Sequence, residues 1–398
     1  MRDLVRLAIV PRDGFFCKDG RGWFSSVSGR GHGLEWPLPS TVLGALRTAW
    51  GRQEEARTGR AFSPEDWRSR TSAVTLHRTL VLRRPPGAAW KGEHRVWPAP
   101  ADALRLEGHK EVYRLDPVRP WRPTVGRDDD EAREALWVPV LEEKMKPVDA
   151  PRWWDEARLL DWLVSEALSR DLRGDAFDVP HRVQAHVGIR PEELTAAEGV
   201  LFAHDVMETI EIESEMKGRD RRAEWAIGME ASLPSWSAPA FITLGSDSRL
   251  ARVEPLPAAL FGPPQKLLEA FERRSRGLRV VVVTPACFER GWLPDGMERQ
   301  GREFRGWLGP LDGELVLRSA IVPRPLDVTG WDMAARTPKP SVRMVPPGAV
   351  YFFEKVDGGG FGVEDATALW LAALGARTEE GFGRVVPGVW TPRGGVAG

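Results

Sequence analysis

Leu4-Val5-Arg6-Leu7-Ala8-Ile9-Val10 alternates and is β-branched enough to read as a first strand, and Pro39 to Trp50 after it reads as a helix with Pro39 and Ser40 at its start. Strand then helix is the first unit of the fold. From about Thr58 to Pro147 the chain is rich in Pro, Gly and charge, with an acidic turn at Asp128-Asp129-Asp130-Glu131. This segment reads as short strands and loops inserted into the first domain. Apolar residues at Trp154, Ala157, Leu160, Leu163 and Ala167 predict a helix from Trp153 to Arg170. Val200 to Glu213 and Glu224 to Ala231 read as the two strands of a hairpin whose tip, Ser214 to Arg222, is charged. After Pro255-Leu256-Pro257 the pattern begins again. It gives a helix from Gln265 to Arg276, strands at Leu278 to Thr284, Leu315 to Val322 and Ala349 to Lys355, a helix from Glu364 to Leu374, and a glycine-rich loop.

Two successive units of strands with helices on one side predict an α+β chain of two ferredoxin-like βαββαβ domains, the arrangement shared with RNA-recognition domains. The expected division is 1–256, carrying an insertion at about 58–180, and 257–398, ending in the glycine loop. A length of 398 residues fits two domains at roughly 100–200 residues each.

Composition narrows the function. Cys17 and Cys287 are the only cysteines, too few for a disulfide scaffold and without a CxxC pair, which fits a reducing cytosol. The start is broken by Arg6 and Pro11, and no run of about 18 apolar residues occurs, so a soluble cytoplasmic protein without membrane contact is expected. A formal net charge of −1 argues against a surface coated by nucleic acid and leaves room for a localised basic groove. The cations are 47 Arg against 9 Lys, a ratio that a GC-rich genome also produces. HExxH, GxSxG and GxxxxGK[ST] are all missing, so zinc, serine-nucleophile and P-loop chemistry lack their signatures, and the one HD pair does not form a metal-binding dyad. His204-Asp205 are neighbours on a strand and point to opposite faces.

Four segments could meet an anion. Gly381-Phe382-Gly383-Arg384, followed by Gly388, can expose successive N–H groups to phosphate, with Arg384 as a cation and Phe382 as a stacking ring; the same glycines also suit a helix C-cap. Gly29-Arg30-Gly31-His32-Gly33 resembles a flexible anion-binding segment before a helix N-terminus, or a mobile loop. Lys339 and Arg343 lie on an extended segment that could track single-stranded RNA or form a plain edge strand. Lys217 and Arg219, with Arg221 and Arg222, sit on the hairpin tip, which could clamp a phosphate backbone or be an ordinary solvated turn.

The order of short segments across nearly the whole chain resembles one family, the third subunit of the type III-B CRISPR effector, the Cmr complex, within the RAMP superfamily. The resemblance rests on Asp13-Gly14-Phe15-Phe16 with Asp19-Gly20-Arg21, Pro37 to Thr48, His186-Val187-Gly188-Ile189, and Ala197 to Phe202. It continues through Leu244-Gly245 before Arg249, Thr284-Pro285 with Phe288, Gly291 to Pro294, Lys339 to Val342, Gly348 to Phe353, and the terminal glycine loop. It implies a non-catalytic subunit, without cofactor or metal, that holds the 5′ tag of the CRISPR RNA. Its implied partners are the large palm-domain subunit and the first backbone subunit. By position, Gly381, Phe382, Gly383 and Arg384 would line the tag site, with Arg30, His32, Ser40 and Arg47 nearby and Lys339 and Arg343 added. The family's guide-kinking hairpin would be either the tip from Lys217 to Arg222 or the 85–147 insert. Two departures stand out: Cys17-Lys18, where the family often has Arg, and the acidic turn at Asp128 to Glu131, which would face a protein partner or solvent. The rival reading is a RAMP-type guide-processing endoribonuclease using a histidine such as His32 as general base.

Overall fold

The computed structural model describes residues 2–18, 29–31, 33–119, 136–141, 143–214, 220–245, 248–332, 335 and 337–393. Five α-helices occur among them: α1 (Pro39–Thr58), α2 (Pro64–Thr71), α3 (Glu156–Leu163), α4 (Gln265–Phe271) and α5 (Val363–Leu369). The strands are mostly antiparallel and two sheets dominate, so the class is α+β.

The larger sheet has nine strands. Its centre runs Thr75–Arg84, Asp220–Pro234, Arg2–Pro11 and Arg249–Pro255, with Phe241–Leu244 as one edge. The Arg2–Pro11 strand is buried on both faces, which explains its dense apolar run. Leu7 and Ile9 pack with Val42, Leu43, Leu46 and Trp50 of α1. Ala8 and Val10 point the other way and join Leu80, Leu82 and Ala226 in a core that continues through Leu159 and Trp162 to Val280 and Val386 of the second sheet. That second sheet has seven strands, with Leu315–Ile321, Val350–Lys355, Gly277–Val282 and Arg384–Trp390 as consecutive neighbours. One apolar core therefore spans both sheets, and each large side chain fully buried in it contributes roughly 1.5–3 kcal/mol.

Three expectations are corrected. Trp153 to Arg170 is not one helix: Trp153–Asp155 is a strand, Asp155 caps α3 by accepting from the Arg158 N–H at 2.8 Å, and α3 ends at Leu163. The reason is that Trp153 buries with the α1-side core and its neighbour Trp154 with the other core, which a strand allows and one helix face does not. The run from Val200 to Glu213 breaks at Glu208-Thr209. Thr195–Met207 pairs with His181–Arg190, and only Ile210–Ser214 pairs with the Asp220–Pro234 strand. Finally, the Thr75–Arg84 strand is no peripheral insert but a central strand, in register with Ser232 through Glu224.

The remaining helices and strands lie where the patterns put them, with shifted ends. α1 continues to Thr58, where Gly59 closes it in the left-handed conformation at φ 65°. α4 and α5 stop earlier than expected. No described helix is long and apolar enough to cross a membrane.

Candidate nucleic-acid interface

The glycine loop forms a seam between the two sheets. It leaves the second sheet at Leu374 and returns to it at Arg384, and on the way the Glu379 carbonyl accepts the Leu76 N–H of the larger sheet at 2.8 Å. Gly381 sits at φ 90°, and a Cβ there would stand 3.1 Å from both Leu76 and Pro39 at the start of α1. Gly383, at φ 72°, would drive a Cβ to 2.0 Å from the Leu374 carbonyl oxygen. Both glycines are thus set by backbone conformation and close packing.

The Gly381, Gly383 and Arg384 amides are already used, which corrects the expectation that the glycines present free N–H groups to phosphate. Gly381 N–H donates to the Thr378 carbonyl at 3.2 Å, and Gly383 N–H to the Pro285 carbonyl at 2.8 Å. Arg384 N–H donates to Thr284 Oγ1 at 2.9 Å, and that hydroxyl donates to the Gly381 carbonyl at 3.1 Å. Phe382 is corrected likewise. Its ring is 0% exposed, packed with Leu38, Val328 and Met344, and covered by the Arg377 guanidinium at 4.8 Å, so neither face is open to a base.

The loop instead gathers charged side chains. Arg384 is buried, donates from Nη2 to the Thr378 carbonyl at 2.7 Å, leaves Nε without a partner, and makes no carboxylate ion pair among the described residues. Burial, reinforced by Arg78 and opposed by Glu230, pulls its pKa down to about 10. Glu230 is also the carboxylate for Arg6, at 2.7 Å, and Arg78, at 3.5 Å. Two guanidiniums therefore share one carboxylate where the sheets meet, and Arg384 lies within electrostatic reach of Arg78 and Glu230 without pairing to either. Arg6 and Arg78 were not singled out from the sequence. The available signal was that Arg6 alternates in phase with Ala8 and Val10, placing a cation on an interior face of the first strand.

Elsewhere along the loop, Arg377 binds Glu380 through both forks, at 2.9 and 2.7 Å. Burial works against the Glu380 charge, but Arg377, helped by Lys339 and Arg47, carries its carboxyl below the usual range. Arg47 of α1 reaches the Val74 carbonyl at 3.4 Å and leaves Nε buried without a partner; burial lowers its pKa, while Glu380 and Glu379 oppose that shift.

Of the residues singled out from sequence, Ser40, Arg47, Lys339 and Gly381 to Arg384 converge on this seam. Ser40 lies beside Pro39 at the start of α1. Lys339 follows the short Thr337–Pro338 strand, its N–H donating to the Gly330 carbonyl at 2.8 Å. Arg343 lies on Val342–Met344, a strand pinned to the seam because Met344 packs on Phe382, while Arg343 itself is exposed and 3.4 Å from Asp327. Arg30 falls on Gly29–Gly31, a short strand in which it pairs with Ala203 of the parallel Phe202–His204 stretch. His32, Lys217 and Arg219 lie outside the described residues.

His77, His94, His109 and His181 make hydrogen bonds through a ring nitrogen, to Ser232, the Lys91 N–H, Tyr113 and the Val179 carbonyl, and two others lie in ring stacks. His204 stacks on Phe16 at 4.4 Å, and His186 on Phe202 at 5.1 Å. No group of three or more His, Cys, Asp or Glu side chains able to hold a metal occurs among the described residues.

A family model described as CRISPR-associated protein (Cas_Cmr3) matches residues 7–390, which places the chain in the class of CRISPR-associated proteins. The chain belongs to that family, the third-subunit family of the type III-B effector that its sequence resembles. Among solved structures it is similar to a chain of "Cryo-EM structure of the Type III-B Cmr-beta bound to cognate target RNA and AMPPnP, state 1", at 13% identity and a TM-score of 0.43, covering 87% of this chain and 86% of that one. A second chain, from "Cryo-EM structure of the Type III-B Cmr-beta bound to cognate target RNA", matches at 11% identity with a TM-score of 0.40 over the same shares. No curated protein matches.

Proposed function

We propose that this chain is the non-catalytic, RNA-binding subunit of a type III-B effector that holds the 5′ tag of the guide RNA at the seam between its two sheets. It docks there beside the large palm-domain subunit and the first backbone subunit. The observation that carries this reading is the shortage of carboxylates around Arg6, Arg78 and Arg384. Arg6 and Arg78 share Glu230, and Arg384, within electrostatic reach of Arg78, bears its charge in a buried place without an ion pair. A phosphate arriving there gains charge-assisted hydrogen bonds and relieves the repulsion between Arg78 and Arg384.

The glycine loop acts in this reading as a scaffold that fixes Arg377 and Arg384, and the Lys339 to Arg343 arm supplies exposed cations next to it. The two sheets are read as a pair of ferredoxin-like units. Supporting this, the strands Arg2–Pro11, Thr75–Arg84, Asp220–Pro234 and Arg249–Pro255 lie in spatial order fourth, first, third, second. Gly277–Val282, Leu315–Ile321, Val350–Lys355 and Arg384–Trp390 repeat that order.

Ultraviolet crosslinking of the guide within the reconstituted complex tests the assignment. Crosslinks from the tag to peptides containing Arg78, Lys339 to Arg343 or Arg377 to Arg384 are expected. A tag crosslinked only to other subunits would overturn it. Incubation of the purified chain with repeat RNA tests the non-catalytic role: intact RNA is expected, and metal-independent cleavage abolished by His32→Ala would establish the nuclease instead.

A further inference from the structure

A second cationic site lies beside the start of α3, and it does not depend on the tag reading. A cavity of about 220 Å³ opens there, lined by Ala99, Ala103, Val112, Pro151 and Ala176 together with Trp154. The small residues leave this slot open. Arg105, Lys110 and Arg158 line the same cavity, and no carboxylate does.

None of these three cations makes an ion pair within 4 Å among the described residues, although Asp155, Asp171 and Asp175 act on Arg158 from further away. Neither Arg105 nor Lys110 has an ion-pair partner among the described residues, and both are exposed. Arg158 is half-buried, its guanidinium lying 5.1 Å from the Trp154 ring, with Nη1 reaching the Gly174 carbonyl at 3.4 Å and Nε buried without a partner. Burial first lowers its pKa; Asp155, Asp171 and Asp175 oppose this, and Arg105 adds repulsion. An anion between Arg105 and Arg158 would satisfy both.

We propose that this slot binds one nucleotide, its base against the alanine wall and its phosphate held by Arg105, Lys110 and Arg158. A base contributes a π-face that fills a narrow apolar slot, and a phosphate accepts from several guanidinium N–H groups at once. Inorganic phosphate alone would leave the slot empty. The same chemistry arises from a free mononucleotide or from one unstacked residue of single-stranded RNA.

Calorimetric titration of the full-length chain with adenosine 5′-monophosphate, inorganic phosphate and a short single-stranded oligoribonucleotide tests the proposal. Nucleotide binding is expected to fall at least tenfold in Arg105→Ala/Lys110→Ala. In Ala103→Leu, which fills the slot, nucleotide binding should fall while phosphate binding stays, with thermal melting confirming that each variant folds. Competition between the oligoribonucleotide and the mononucleotide, with both sensitive to Ala103→Leu, would make RNA the source of the base. A mononucleotide that binds while the oligoribonucleotide does not would make it a free nucleotide. The proposal is overturned if neither nucleotide ligand binds, if Ala103→Leu leaves nucleotide binding unchanged, or if Arg105→Ala/Lys110→Ala binds like wild type. Because the readout is the difference that these variants make, and they leave every seam residue in place, its failure leaves the tag assignment standing, and the reverse also holds.

Discussion

Arg279 and Arg384 sit on adjacent strands of one sheet, and both are buried, yet they are compensated differently. Arg279 is fully enclosed, binds Asp102 at 3.0 Å and donates to the Trp162 carbonyl, while Arg114 stands 3.7 Å from the same carboxylate. Arg384 has a backbone carbonyl and no carboxylate of its own, Glu230 acting on it without pairing. A buried cation with its own carboxylate belongs to the core. One without it is a standing electrostatic cost that an arriving anion can remove.

The largest effect should come from breaking the compensated pair. Asp102→Ala leaves Arg279 buried without its carboxylate and is expected to lower unfolding free energy by about 3–5 kcal/mol, read from denaturant midpoints. Gly383→Ala should follow, with a loss of roughly 2–4 kcal/mol. It combines a strained positive φ with a Cβ against the Leu374 carbonyl, a backbone atom that cannot turn aside.

Arg384→Met should behave in the opposite way. Methionine keeps the stem and removes a charge whose burial is uncompensated, so the melting temperature is expected to hold or rise. Affinity for tag RNA in the assembled complex should meanwhile fall about tenfold, in line with the loss of one charge-assisted contact. The sign follows from the lowered pKa. Because folded Arg384 releases its proton near 10, well below an unfolded arginine, its charge opposes folding at every pH below about 10, and the opposition fades as pH climbs above that. An Arg384→Met variant that melts far below wild type would place this arginine with Arg279 as a core residue. The smallest effect is reserved for Arg343→Ala: exposed and already beside Asp327, it should leave melting unchanged and reduce tag affinity by no more than two- to threefold.

The same contrast shows what the sequence could and could not convey. Alternation made the Arg2–Pro11 strand legible, and helix phasing located α1, because each buries one stripe against a single neighbour. Trp153 and Trp154 were misread as part of a helix because they serve two different cores, a fact that exists only once both sheets are assembled. The glycine loop was found by its spacing, and Arg384 with it. Phe382 was misassigned, since a ring between glycines looks open until Leu38, Val328 and Met344 close over it from distant parts of the chain. Arg6 and Arg78 went unmarked because their shared carboxylate, Glu230, is far away in sequence.

The central claim is that the undercompensated cluster at the seam, rather than the paired arginines, meets the guide. The direct measurement is tag-RNA affinity of the reconstituted complex across a salt series, for wild type and for Arg6→Ala/Arg78→Ala/Arg384→Met. Loss of the one phosphate contact that the three guanidiniums make together should reduce the slope of log affinity against log salt by about 0.7, so the triple variant should bind more weakly along a shallower line. Parallel salt lines of equal affinity would contradict the account.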